Sequence, residues 1–345
     1  MILLSFTAVV QGQQMAQYSQ YIWNSYLVNP AIGGAENFIE WKAGYRNQWV
    51  GIEGAPVTMY LTMHGQIGKK LMNREDNDVI NRTLHAKPPS KFATALGFKK
   101  RKFPTAPTSF KVKPHHGVGG QVISDQIGPF TTFGVYGSYS YHIPITREVY
   151  ISLGTFIGLK QYKVDPAKIT LKDENDKVLS NNLQGLAPDG MIGAMAYGNK
   201  FYLGASIGQM FNNRFNFKDE VHFSITQGAL KRHFFVVGGY RIKISENVAL
   251  VPSSMLRIYP NTPVALDVTA KLNYLDMFWI GASMRANDAM ILLAGFSYKN
   301  RLHFGYSYDL TTSELTKFSS GSHEVIVGYR LINKPTKGCK PSYVW

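Results

Sequence analysis

The chain is poor in cysteine, in charge and in long apolar runs. One cysteine, Cys339, lies in a polar stretch near the end, so neither an internal disulfide framework nor a cysteine metal site is available. A lone thiol there reads as an inert tail residue. No stretch approaches the ~18–20 consecutive apolar residues that a membrane helix needs, which argues against a helical membrane protein. Charged residues make up only 17% of the chain, and acids are the scarcer sign: 22 Asp and Glu against 37 Lys and Arg, a formal charge of +15. Such an excess suits nucleic acid, acidic lipid headgroups or an acidic partner, and location decides among them.

Catalytic signatures are missing too. There is no GxSxG elbow, HExxH pair or Walker loop. His115 and His116 are adjacent, and adjacent residues on a strand point to opposite faces, so they make a poor metal pair. Asp173-Glu174-Asn175-Asp176 lacks the alternating spacing and central glycine of a calcium loop. No cofactor, metal or catalytic residue is expected. A lipid-acting barrel enzyme using His303 and Asp309 stays open as a third reading, without supporting spacing.

What the chain has is glycine and aromatics: 32 Gly, 20 Tyr, 20 Phe and 5 Trp among 345 residues. That mixture, without helical periodicity, suits many turned strands with aromatic girdles at two membrane interfaces. Residues 1–10 form a short apolar run, and Val10-Gln11-Gly12 offers a cleavage site before Gln13-Gln14. This predicts a secretory signal over 1–12, although a basic leader region is missing; a short buried strand is the rival reading. No cysteine follows the run, so no lipid anchor is expected there. An exported chain rarely meets nucleic acid, which removes that reading of the positive charge.

Period-two alternation recurs after residue 38. Val325, Val327, Tyr329 and Leu331 oppose Glu324, Gly328 and Arg330. Leu302, Phe304, Tyr306 and Tyr308 oppose His303, Gly305, Ser307 and Asp309. Phe278, Ile280, Ala282 and Met284 oppose Trp279, Gly281, Ser283 and Arg285. Ile151, Leu153, Ile157 and Leu159 oppose Ser152, Gly154, Gly158 and Lys160. One face is apolar and capped by aromatics; the other is rich in Gly, Ser and charge, as a wet lumen would be. The expectation is an all-β, transmembrane antiparallel β-barrel of about fourteen strands over 38–332, each about ten residues long. The strands are placed at 38–50, 56–68, 115–125, 129–142, 148–162, 189–198, 200–210, 232–243, 247–258, 264–274, 276–286, 289–299, 301–309 and 322–332. The even number puts both ends of the barrel on one side, and closure leaves no backbone edge in lipid.

The connections give an independent test. Short turns at 199–200, 245–247, 275–276 and 299–301 share one parity of connection; longer loops at 163–188, 211–231 and 310–321 share the other. Outer-membrane barrels sort their periplasmic turns and outer loops in this way. Residues 69–113 break the rule. They hold 12 Lys and Arg against 3 Asp and Glu, 12 − 3 = +9 of the total charge. They read either as a solvated basic insert or as a periplasmic docking arm, with Lys99, Lys100, Arg101 and Lys102 as its densest run. Ahead of the strands, 13–37 is aromatic and polar and reads as a plug-like N-terminal segment. On the first strand Arg46 and Gln48 share the lumenal face, where an arginine needs an acidic or carbonyl partner and so becomes a candidate anchor for that segment. Residues 333–345 form a polar tail.

The run Gln17-Tyr18-Ser19-Gln20-Tyr21, then Asn29-Pro30-Ala31 and Gly33-Gly34, then Tyr45-Arg46-Asn47-Gln48-Trp49 with Gly51 and Gly54-Ala55-Pro56, resembles the PorP/SprF family. Ser124-Asp125-Gln126-Ile127-Gly128-Pro129 and the ending Cys339-Lys340-Pro341-Ser342-Tyr343 are similar as well. The basic insert departs from the pattern. The resemblance implies an outer-membrane barrel of the Bacteroidota type IX secretion system. It also implies a role in export and surface retention of cargo bearing a type IX C-terminal signal, including gliding adhesins. The implied partners are that cargo, periplasmic peptidoglycan-associated machinery and the lipid bilayer. No catalysis is implied. Gly51, Gly54 and Pro56 read first as a tight outer turn, with a cargo contact as the second reading. The alternative function is an anion-preferring diffusion or uptake porin, which single-channel conductance would separate.

Overall fold

A computed structural model describes residues 16–36, 38–67, 114–146, 148–168, 184–211, 231–260, 262–299 and 301–332. No helix among these residues is long and apolar enough to cross a membrane. The strands, in chain order, are β1 (Phe38–Asn47), β2 (Val57–Gln66), β3 (His115–Ile127), β4 (Phe130–Pro144), β5 (Val149–Val164), β6 (Gln184–Gly198), β7 (Phe201–Gly208), β8 (His233–Tyr240), β9 (Ile242–Lys243), β10 (Val248–Ile258), β11 (Ala265–Tyr274), β12 (Phe278–Arg285), β13 (Ala289–Tyr298), β14 (Leu302–Thr311) and β15 (Ser322–Ile332). β8 and β9 are one stave broken at Arg241. Their shared register with β10 puts Pro252 opposite Tyr240, and proline has no N–H for the ladder. The fourteen staves pair antiparallel throughout and close where β15 meets β1.

Closure follows from the alternation. Trp41, Tyr45, Leu61, Leu153, Ile157, Ile280 and Leu292 all point outward and stay exposed, as lipid-facing side chains do. Outward His116 stands against Tyr139 and Tyr141 near one rim, and His323 against Tyr306 and Tyr308 near the other. These amphipathic rings sit where an aromatic girdle belongs. A ten-residue strand tilted by ~40° covers roughly 25 Å, enough for the hydrocarbon layer.

Both β1 and β15 have their free ends at one rim, here the terminal end; the opposite rim is the loop end. Tight connections at 199–200, 275–277 and 299–301 lie at the terminal end, and the described loop 312–321 at the loop end. The sorting is less sharp than expected, because 128–129 and 286–288 are also tight and lie at the loop end. Gly128 meets the first by adopting φ 55°, and Asn287 the second with φ 61°.

Several boundaries differ from the sequence expectation. β1 stops at Asn47 rather than residue 50, because Trp49 turns to φ 49° and Gly51 to φ 102°. β6 begins at Gln184 rather than 189, with Pro188 inside it. Among the described residues, 184–190 register with β5, and the β6–β7 register reaches only to Met191↔Gly208. Pro188 lies beyond that described ladder, where a missing N–H disrupts less. Residues 1–12, the whole of the basic insert 69–113 including Lys99, Lys100, Arg101 and Lys102, residues 173–176, and the tail 333–345 with Cys339 lie outside the described residues.

Candidate functional site

The core of the molecule is inside the ring, and much of it comes from residues 16–36. Tyr18, Tyr21, Ile22, Trp23, Tyr26, Leu27, Val28, Ala31 and Ile32 are buried together with lumenal Tyr60, Phe156, Met191, Met195, Tyr202 and Trp279. Two short 3-10 turns, Ser25–Leu27 and Pro30–Ile32, compact the segment. The second is prepared locally. Pro30 supplies the preset φ and lacks an N–H, and the Asn29 side chain accepts from Ala31 N at 3.0 Å.

Residues 28–34 are held by their main-chain carbonyls. Ser206 donates to Val28 O, Ser152 to Ala31 O at 2.8 Å, and Ser140 to Gly33 O. His142 Nε2 lies 2.8 Å from Gly33 O, and His115 Nε2 lies 3.1 Å from Gly34 O. Asn29 Nδ2 donates to Ala194 O at 3.2 Å. Such close approach needs a wall without side chains. A Cβ on Gly193 would overlap Asn29 Oδ1, and one on Gly154 would stand 2.5 Å from Ala31 N. The small face of β5–β7 is therefore a docking slot for the Asn29-Pro30-Ala31 turn.

Residues 17–21 are held by charge. Arg46 pairs with Asp309 at 2.8 Å and with Glu324 at 3.3 Å, and it donates to Ser19 Oγ. Ser19 in turn donates N–H to Glu324 at 2.7 Å and Oγ to Asp309 at 2.6 Å. Arg285 lies 3.6 Å from Asp309 and 3.3 Å from Asp267, and it donates to Gln17 Oε1 at 3.3 Å. Arg257 reaches Asp267 at 2.7 Å. The result is an unbroken chain, Glu324–Arg46–Asp309–Arg285–Asp267–Arg257, spread over β15, β1, β14, β12, β11 and β10. Each member lies within three residues of its strand's loop end. All are almost fully buried, and each charge has an opposite neighbour, which is what makes burial tolerable. Near the terminal end Glu40 bridges Lys42 and Arg330, each at 2.7 Å, and Lys42 also donates to Trp23 O. Below the ring the Tyr21 hydroxyl lies 3.2 Å from Thr269 Oγ1.

The remaining sequence candidates divide between wall and rim. Tyr45 faces outward and Asn47 ends β1. Gln48 N donates to Pro56 O at 2.9 Å, and Trp49 N to Ser322 Oγ at 3.0 Å. Gly51 lies beside Phe318 O, and Gly54 O accepts from Gly128 N at 2.8 Å. Pro129 O accepts from Asp165 N at 2.9 Å. Asp125 accepts from Thr58 Oγ1 at 2.6 Å. The Tyr45-to-Pro56 run thus makes a bracket that ties the β1–β2 loop to the β3–β4 hairpin and to loop 312–321. His303 and Asp309 share a face of β14 but sit near opposite ends, His303 against Ser297 and Asp309 in the ion chain, and are not brought together. His115 and His116 face opposite ways as expected, inward and outward. Sequence reasoning missed the glycine slot, and it had no partner for Arg46.

The model of the family described as type IX secretion system membrane protein PorP/SprF matches residues 10–329. Among solved structures the chain is similar to the TodX deltaS2S3 mutant monoaromatic hydrocarbon channel, at 8% identity over 90% of this chain and 94% of that one, TM-score 0.47. It is similar to the CymD monoaromatic hydrocarbon channel, at 9% identity over 90% and 92%, TM-score 0.47. It is also similar to the outer membrane protein Omp33 of Acinetobacter baumannii, at 9% identity over 86% and 99%, TM-score 0.43. No curated protein matches it.

Proposed function

The chain belongs to the PorP/SprF family of type IX secretion system membrane proteins, and from that premise we propose that it assists export and then holds exported cargo at the outer surface without covalent chemistry. It is an outer-membrane β-barrel. The observation that supports a holding role over a conducting one is the lumen filled by residues 16–36, which act as a plug. The loop end faces outward, and its bracket of 48–56, 128–129 and 312–321 is the platform for cargo with a type IX C-terminal signal, of the gliding-adhesin type. The terminal end faces the periplasm. Its described turns carry Lys200, Arg241, Lys243, Lys299 and Arg301 against Glu148, Glu246 and Asp276. The basic insert begins and ends at that same rim, so the positive excess is directed at acidic, peptidoglycan-associated machinery. The protein performs no catalysis in this reading.

Conductance in planar bilayers tests it. The purified chain gives no large steady current, and deletion of residues 16–36 produces one. A large steady current from the intact chain without partners would instead favour the anion-preferring porin. That alternative is weakened by the loop-end mouth, where, among the described residues, three arginines alternate with three carboxylates and are paired with them.

A further inference from the structure

The order in which residues 16–36 meet the wall fixes their direction of travel. Gln17 and the Tyr18 carbonyl meet Arg285, the last residue of β12 at the loop end. Ser19 meets Asp309 and Glu324, also near the loop end of their strands. Tyr21 then meets Thr269, and Trp23 meets Lys42 at mid-strand. Gly33 meets His142, and Gly34 meets His115, the first residue of β3 at the terminal end. From there the chain enters β1 at Phe38, at the same rim. The segment therefore descends through the barrel from the loop end to the terminal end, and β1 climbs back.

From this path we infer that residues 16–36 thread the barrel with residue 16 toward the outer side, so that an epitope placed just ahead of it is reached from outside, beside the 48–56 and 312–321 loops. β15 ends at the opposite rim, so residues 16 and 332 lie at opposite rims although the barrel itself begins and ends on one side. The inference rests on the reading that the loop end faces outward. It adds residues 16 and 17 of this chain to the surface from which cargo is held. The packing makes the path firm at its upper end. Ser19 has bonds to two carboxylates and accepts one from Arg46, and the Tyr18 ring stands edge-on to Tyr60 at 5.3 Å just inside the mouth.

An epitope tag tests the direction. The tag is placed between Gln14 and Met15 in the full-length chain, and in a second variant it follows Trp345. Antibody binds the first variant on intact cells and the second only after the outer membrane is permeabilised. An N-terminal tag that needs permeabilisation overturns the inference, as does a C-terminal tag reached on intact cells. Heat-modifiable gel migration shows that each tagged barrel is folded. Occupancy of the lumen is read separately, by cross-linking Ala31→Cys to Ser152→Cys with a short bifunctional thiol reagent in a Cys339→Ser background. If that link forms while the N-terminal tag stays hidden, the occupied lumen stands and the direction is wrong. If the link does not form, both fail.

Discussion

Replacing Arg46 with alanine should loosen the upper half of the lumenal segment without unfolding the barrel. In the docked state the guanidinium faces Asp309 at 2.8 Å and Glu324 at 3.3 Å, with all three groups almost fully buried. Removing one partner of a buried ion pair costs about 3–5 kcal/mol, because the remaining charge is left uncompensated. Two features place Arg46→Ala at the lower bound. Asp309 keeps Arg285 at 3.6 Å, and Glu324 keeps the Tyr60 hydroxyl at 3.0 Å and the Ser19 N–H at 2.7 Å. The cost falls on the docked state, since a lumen vacated by residues 17–21 admits water that hydrates both carboxylates. About 3 kcal/mol corresponds to roughly a hundredfold rise in the open fraction. The readout is a cysteine at Thr269, which lies beneath Tyr21 and is 1% exposed. In a Cys339→Ser background, Thr269→Cys is labelled by a thiol reagent only when the segment lifts, and its rate follows the open fraction when closing outpaces labelling. Arg46→Ala should raise that rate about a hundredfold. Arg46→Lys should give a smaller rise, because an ammonium cannot reach three acceptors with the geometry of a planar fork. Labelling of Thr269→Cys at the parental rate in Arg46→Ala, with heat-modifiable migration intact, would refute the reasoning.

Gly193→Val puts side-chain atoms where Asn29 Oδ1 sits and should expel the Asn29-Pro30-Ala31 turn. A cysteine at Ser152, fully buried in the parent, then becomes reactive, and an unreactive Ser152→Cys would show that the slot is not needed. Leu153→Arg, on the outward face of β5 where the leucine is 57% exposed, should lower the folding free energy in lipid vesicles by about 2–4 kcal/mol in urea titrations. No loss there would contradict a lipid-facing wall. Deleting residues 69–113 should leave assembly intact and reduce recovery of periplasmic secretion components in pull-downs; unchanged recovery would remove the docking role from that segment.

The ring of strands was legible because its rule is local. Leu153 against Gly154, or Ile280 against Gly281, declares a lipid face and an inner face within two residues. The differences at β1 and β6 came from features that alternation does not report: the positive φ at Trp49 that ends β1, and the end of the described β6–β7 register at Met191, beyond which Pro188 lies. The interior was legible only as chemistry. Arg46 needed an acidic or carbonyl partner, but Asp309 and Glu324 are more than 250 residues away and become neighbours only when β15 closes on β1. The glycines misled in a different way. Gly154 looked like a small residue of a wet lumen, whereas it admits the backbone of Pro30 and Ala31, and Gly193 and Gly204 admit the side chain of Asn29. Small residues on an inner face mean open space or close approach, and only the partner tells which.

The two halves of the lumenal segment are held by contacts of different kinds, and the difference bears on which half moves. Residues 28–34 rest on bonds from several strands, with Ser140 and His142 on β4, Ser152 on β5 and Ser206 on β7, and a neutral bond of this kind is worth about 0.5–1.5 kcal/mol. Losing one leaves the rest in place. Residues 17–21 rest on a coupled chain in which Asp309 serves both Arg46 and Arg285, and Asp267 serves both Arg285 and Arg257. Disturbing one member there changes the electrostatics of its neighbours, so the response is collective. The upper half is thus the one that loss of a single contact can release, while the Asn29-Pro30-Ala31 turn, dislodged only by bulk placed in its slot, stays seated. A segment hinged in this way would open the mouth toward the loop end while its lower half still fills the barrel, which separates a change at the outer surface from a leak across the membrane.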